Sequence, residues 1–126
     1  MGRVLVVDDE APVRDGLKSV LTADRHEVRT ASDGAAAVAA FDQFQPDVVV
    51  CDLLMANVDG VSAIYNIRLR DPHVPILAIT GCHLSGTPEP LAAAEQLGVQ
   101  VLLKPFPAPR FLDAVTQLMK PKATRN

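Results

Sequence analysis

Acids end two of the most apolar stretches of this chain. In VVVCDLLMANVDG, Val48 to Gly60, three valines and a cysteine lead straight into Asp52. Near the N-terminus the run VLVV leads into Asp8, Asp9 and Glu10. An ionised side chain at the end of a segment built for burial is costly unless something compensates it. Two further apolar runs end in groups of complementary chemistry: LAIT closes on Thr80, followed by Gly81, and VLL runs into Lys104, followed by Pro105. Where these ends meet, Asp8, Asp9 and Asp52 raise one another's pKa and require a counter-charge. A hard divalent cation meets that need, and Mg²⁺ typically takes one or two carboxylates and keeps several waters. Lys104 brings an ammonium able to pair with a carboxylate or a phosphoryl oxygen, and Thr80 brings a hydroxyl donor. Such a set around one carboxylate makes a receptor for a phosphoryl group on that carboxylate, with Asp52 as the nucleophile.

The elements that must position these groups are legible as an alternation. Short runs rich in Val, Ile and Leu mark strands at Val4 to Val7, Val28 to Ala31, Val48 to Cys51, Val74 to Thr80 and Val99 to Leu103. Between them apolar residues recur at three- and four-residue spacing: Val13, Leu17, Val20 and Leu21; Val38 and Phe41; Val61, Ile64 and Ile67; and, after the last strand, Phe111, Val115, Leu118 and Met119. Pro12 suits a first helical turn, Ser32 or Asp33 a cap for the second helix, and Gly98 the end of a helix that begins near Glu89 or later, its first turn restricted by Pro88 and Pro90. Strand and helix alternating along the whole chain imply parallel strands with right-handed crossovers, hence an α/β doubly wound sheet with helices on both faces. In such sheets ligands bind at the carboxyl ends of the strands, where Asp8, Asp9, Asp52, Thr80 and Lys104 all fall.

With 126 residues the chain suits one domain, read as 1–120, followed by a polar tail, 121–126. A net charge of -3 argues against direct nucleic-acid binding through a basic patch. No apolar stretch approaches bilayer length and the N-terminus carries acids, so the expectation is a cytoplasmic protein without a membrane partner. Cys51 and Cys82 have no metal-ligand spacing and read as small buried or half-buried thiols.

Each residue also has a blander reading. Asp8, Asp9 and Glu10 would suit the positive end of the helix holding Pro12. Lys104-Pro105 alone is a solvated turn, and Thr80 alone a good strand residue. Asp59 and Gly60 read as a turn and helix cap. His26, His73 and His83 lie at the ends of elements and read as surface residues, with only His83 near the strand ends. Phe106 and Phe111 fit either the core or a partner surface. Asp52 has the weakest such alternative, because an acid directly after VVVC has little structural reason to be there.

Taken in order at the ends of the first, third, fourth and fifth strands, the pair Asp8-Asp9, Asp52 in DLLMANVDG, Thr80, and Lys104 in LLKPF resemble the receiver domain of two-component response regulators, over essentially the whole chain. The resemblance implies a CheY-like, flavodoxin-like five-stranded sheet of order 2-1-3-4-5. It implies a phosphoryl group taken from a histidine kinase or histidine phosphotransfer protein onto Asp52 with Mg²⁺ bound. The metal ligands would be Asp9, Asp52 and the backbone carbonyl of Leu54, with Asp8 acting through water. Lys104 would pair with the phosphoryl group, its bond to Pro105 would be cis, and slow autodephosphorylation would reset the switch. A protein of this kind is a phosphoacceptor rather than an enzyme acting on other substrates. It controls a downstream effector, either docked around the helix before Gly98, the fifth strand and the last helix, or joined as an output domain.

The chain departs from the family at three places. Ala56 stands where Pro is usual, Gly81 follows the threonine where Ala or Ser is common, and Val101 occupies the position of an inward-rotating Tyr or Phe. Val101 and the unusual helix before Gly98 keep an alternative in view, a receiver-like interaction module independent of phosphorylation, against which the intact acidic set argues. A haloacid-dehalogenase-type phosphatase needs a second Asp where this chain has Leu54, and a flavodoxin-like cofactor binder needs a Gly-rich loop where it has DDEAPVRDG.

Overall fold

The computed structural model describes residues 2–53, 60–81 and 96–119. Five strands form one parallel sheet: β1 (Arg3–Val7), β2 (Glu27–Ala31), β3 (Val48–Asp52), β4 (Ile76–Thr80) and β5 (Gln100–Leu103), in the order β2-β1-β3-β4-β5. Four described helices accompany them: α1 (Ala11–Ala23), α2 (Gly34–Phe44), α3 (Gly60–Arg70) and α4 (Ala108–Met119). The doubly wound α/β fold and its strand order are those expected. The helix expected from Glu89 lies, apart from its end, outside the described residues, as do Leu54, Ala56, Asp59, Cys82, His83 and the tail 121–126.

Alternation along the strands builds a core on each face of the sheet. Leu5, Val7, Val49, Cys51, Ile76 and Ala78 meet Ala37 and Phe41 of α2 and Ala63, Ile64 and Ile67 of α3. Val4, Val6, Val48, Val50, Leu77 and Ile79 meet Leu21 of α1 and Phe111, Ala114 and Val115 of α4. Every residue of the central strand β3 is therefore buried, which is why VVVC shows no polar alternation. The edge strand β2, by contrast, reads EVRTA and buries only Ala31. β4 begins at Ile76 and not at Val74, since Pro75 has no N–H for the ladder.

The punctuation works locally. Asp33 caps α2 by accepting the Ala36 N–H at 2.8 Å. Pro12 occupies the first turn of α1, whose N-cap, Glu10, makes no side-chain capping bond. Gly98 has φ of 73°, a left-handed conformation that favours glycine. Beside it the Arg68 guanidinium ties α3 to the turn entering β5, donating to the carbonyls of Val74 (2.6 Å), Leu97 (2.8 Å) and Gly98 (3.3 Å). Burial lowers the pKa of that guanidinium, with Asp71 opposing the shift.

Two expectations for individual side chains are settled here, one against the sequence reading. His26 is buried, not at the surface: its Nδ1 accepts the Gly2 N–H at 3.2 Å, and Asp24 lies 3.4 Å from its Nε2. Position at the start of an edge strand suggested exposure, but the His26 backbone N–H donates to the Leu21 carbonyl at 3.0 Å and holds the residue against the end of α1. Phe111 is core and stacks on the half-buried Phe106 with ring centroids 5.7 Å apart.

Candidate functional site

Strand register brings the chemistry together. Val7 pairs with Cys51, so the next residues, Asp8 and Asp52, emerge level from adjacent strands. On the other side Asp52 pairs with Ile79, and Thr80 with Leu103, so Thr80 and Lys104 follow in step. The Lys104 N–H donates to the Thr80 carbonyl at 2.8 Å, extending the ladder past the last strand residue. The Lys104–Pro105 peptide bond is cis, as the resemblance implies.

Asp8, Asp52 and Thr80 are buried, Asp9 and Lys104 half-buried. Single carboxylate oxygens of Asp8, Asp9 and Asp52 lie within 4.8 Å of one another. The Lys104 Nζ stands 3.5 Å from Asp52 Oδ2 and 3.9 Å from Asp8 Oδ2. Asp8 Oδ1 accepts the Glu10 N–H at 2.9 Å, whereas its buried Oδ2 makes no hydrogen bond among the described residues. Burial raises the Asp8 pKa above its ordinary 3.8; the Glu10 N–H and Lys104 oppose the shift, while the charges of Asp52 and Asp9 add to it.

A buried carboxylate oxygen without a donor, beside two more acids, is an uncompensated concentration of negative charge that one ammonium only partly offsets. The oxygen donors are hard, and their spacing suits a small divalent cation that keeps part of its water shell. The residues present therefore fit Mg²⁺. Leu54, the expected carbonyl ligand, lies outside the described residues.

Two contributors were missed by reading residue types and spacing. Gly60 opens α3 directly behind the acceptor strand: its N–H donates to the Leu53 carbonyl at 2.9 Å, and a Cβ there would run into the Asp52 carbonyl oxygen and come within 2.6 Å of Leu53 Cα. The sequence shows only an Asp-Gly turn. Arg14, in α1, donates from Nη1 to the Asp8 carbonyl oxygen at 2.8 Å, and nothing in its spacing marks it. Val101 is half-buried and packs against the α2–α3 side of the core. Cys51, expected as a small buried thiol, is fully buried, with Sγ 3.4 Å from the Asp52 carbonyl oxygen.

Known proteins resemble this chain in sequence and in fold. The chemotaxis protein CheY of Bacillus subtilis is 33% identical over 119 residues, covering 93% of this chain and 97% of that protein. A probable transcriptional regulator, ycf27 of Guillardia theta, is 38% identical over 112 residues, covering 89% of this chain but 42% of the regulator. The chain thus spans about half the length or less of the first transcriptional regulators it matches. Among solved structures, the chemotaxis protein CheY4 of Vibrio cholerae superposes with a TM-score of 0.85 at 28% identity, covering 94% of this chain and 98% of that one. A CheY-like receiver domain from Methanospirillum hungatei reaches 0.87 at 18% identity over 94% of each chain, which speaks for the fold alone. The family model for the response regulator receiver domain matches residues 4–116, a span holding all four strand ends whose acids, hydroxyl and ammonium meet. This chain belongs to the response regulator receiver domain family.

Proposed function

We propose that Asp52 accepts a phosphoryl group and that the domain switches a downstream partner while the group is attached. The observation carrying this reading is the Lys104 ammonium 3.5 Å from a buried Asp52 carboxylate, at a strand end already crowded by Asp8 and Asp9. In the transfer, an Asp52 carboxylate oxygen attacks phosphorus and forms the P–O bond. The P–N bond of a phosphohistidine breaks, and its nitrogen keeps the electron pair and regains a proton. Lys104 neutralises charge on the transferring oxygens, and Thr80 donates its hydroxyl to one of them. Asp9, Asp52 and, through water, Asp8 would hold Mg²⁺, which when bound neutralises charge on the phosphoryl oxygens. Water attack on phosphorus then releases phosphate and restores the Asp52 carboxylate.

Family membership supports a histidine kinase or phosphotransfer protein as donor and an effector protein or output domain as reader. On this reading the domain catalyses only its own phosphorylation and dephosphorylation, and works in the cytoplasm. No described helix is long and apolar enough to cross a membrane. Val101 lacks the ring that would rotate behind Thr80, so the readout here does not use an aromatic rotamer at that position. A phosphorylation-independent interaction module is the second reading, favoured by Val101 and by the unusual sequence of the helix before Gly98.

Intact-protein mass after incubation with acetyl phosphate tests the proposal, with and without Mg²⁺, on wild type beside Asp52→Asn. A Mg²⁺-dependent gain of a single phosphoryl group, absent in the variant, is expected. Labelling that survives the substitution, or folded wild type that never gains mass, overturns it.

A further inference from the structure

We propose that Arg14 is a positioning residue for the cation: its guanidinium holds the turn between β1 and α1 in the shape that delivers Asp8 and Asp9 to the cluster before any ion arrives. The inference rests on reading that cluster as a divalent-cation site. Arg14 is the fourth residue of α1, near the helix's positive end, where a cation gains nothing from the helix dipole. Its position therefore calls for a local reason, and the 2.8 Å bond from Nη1 to the Asp8 carbonyl oxygen supplies one. Asp8 is otherwise tied by its own N–H to the Ala31 carbonyl at 3.1 Å and by Oδ1 to the Glu10 N–H. Among these ties only Arg14 anchors the turn to a side chain of α1.

The turn is under outward pressure when no cation is bound. Carboxylate oxygens of Asp8, Asp9 and Asp52 lie within 4.8 Å of one another, and like charges at that range repel. Without the Arg14 bond the turn would spend part of its time with Asp9 displaced from the cluster. An ion then binds only the assembled fraction, so the apparent Kd rises by the inverse of that fraction. Once bound, the ion gathers the acids itself, and the chemistry at saturating metal is little changed. Arg14 as a mere positive charge near the site predicts the opposite sign, since its removal would then tighten cation binding.

The experiment titrates Mn²⁺, read by the electron paramagnetic resonance signal of the free ion, into wild type, Arg14→Ala and Arg14→Lys. We expect Arg14→Ala to weaken binding about 5- to 10-fold and Arg14→Lys, which still reaches the carbonyl with one donor, to recover most of the loss. Acetyl phosphate labelling at saturating Mg²⁺ is expected to stay within about twofold of wild type, because the loss lies in metal affinity and not in the transfer step. Melting in EDTA identifies any variant that fails to fold, and Arg14→Lys then carries the comparison through a rate that falls at low Mg²⁺ and recovers at high Mg²⁺. Binding by Arg14→Ala as tight as or tighter than wild type overturns the proposal, as does a labelling defect that no concentration of Mg²⁺ repairs. Wild type that binds no Mn²⁺ is a different failure, which removes the cation site and this inference with it.

Discussion

The Lys104 ammonium lies 3.5 Å from Asp52 and 3.9 Å from Asp8, so one half-buried cation serves two buried carboxylates. The ammonium offsets part of the cost of withdrawing their charge from water. Lys104 reaches them from the far end of the sheet order only because β5 is in register with β4 and its backbone continues the ladder onto Thr80.

Replacing Lys104 with Ala should therefore separate binding from signalling. The acids remain, so Mg²⁺ still binds, while the phosphoryl group loses its ammonium and downstream output falls. Without metal the variant should be less stable by about 1 to 2 kcal/mol, below the cost of breaking a fully buried pair because Lys104 is partly solvated. Mg²⁺ should recover much of that loss. Thermal unfolding with and without Mg²⁺, beside an assay of output, checks both halves; full output from the variant would sink the assignment.

Asp8 gives a prediction with a definite sign. Burial raises its folded-state pKa above the ordinary 3.8, with Asp52 and Asp9 adding to the shift against the Glu10 N–H and Lys104. The native state thus binds this proton more tightly than the unfolded state, so its contribution to stability is full below the unfolded value and is lost as pH rises through the folded one. Metal-free Asp8→Asn should therefore melt above wild type at neutral pH, and the gap should close on acidification toward pH 4. Added Mg²⁺ should stabilise wild type more at neutral pH than in acid, because the proton competes for the same oxygen. Calorimetry in EDTA across that range decides it, and a gap that widens in acid would contradict the burial argument.

Much of this was legible because period-two and helical patterns are written in residue types. The buried run VVVC needed no partner to be recognised, and an acid at its end was costly enough to demand explanation. His26 was misread because its burial depends on the Gly2 N–H, 24 residues away in sequence, which no local pattern encodes. Arg14 escaped notice for a related reason. Its partner is a backbone carbonyl, and carbonyls carry no residue identity. Gly60 was visible as a turn residue, but the backbone it touches belongs to the preceding strand. Sequence reading finds the groups that do chemistry by their cost; it finds the groups that hold them only where the contact is local.

Gly60 is the sharpest test of that last class. A Cβ at this position would collide with the Asp52 carbonyl oxygen and approach Leu53 Cα at 2.6 Å. Both are backbone atoms, so no side-chain rotation relieves the contact, and either the start of α3 or the Asp52 peptide must shift. Gly60→Ala should cost about 3 kcal/mol, at the upper end for overpacking because the obstacle is backbone. It should also slow acetyl phosphate labelling by about tenfold or more, since an ångström of misplacement at a reacting group is expensive. Gly16→Ala is the matched control: Gly16 lies within α1, where a Cβ meets nothing within 4 Å. There the gain in helix propensity should stabilise the protein by about 0.5 to 1 kcal/mol with labelling unchanged. Denaturant unfolding and labelling kinetics on the two variants read this contrast directly. Equal behaviour at the two glycines would show that the approach of α3 to Asp52 does not constrain the site.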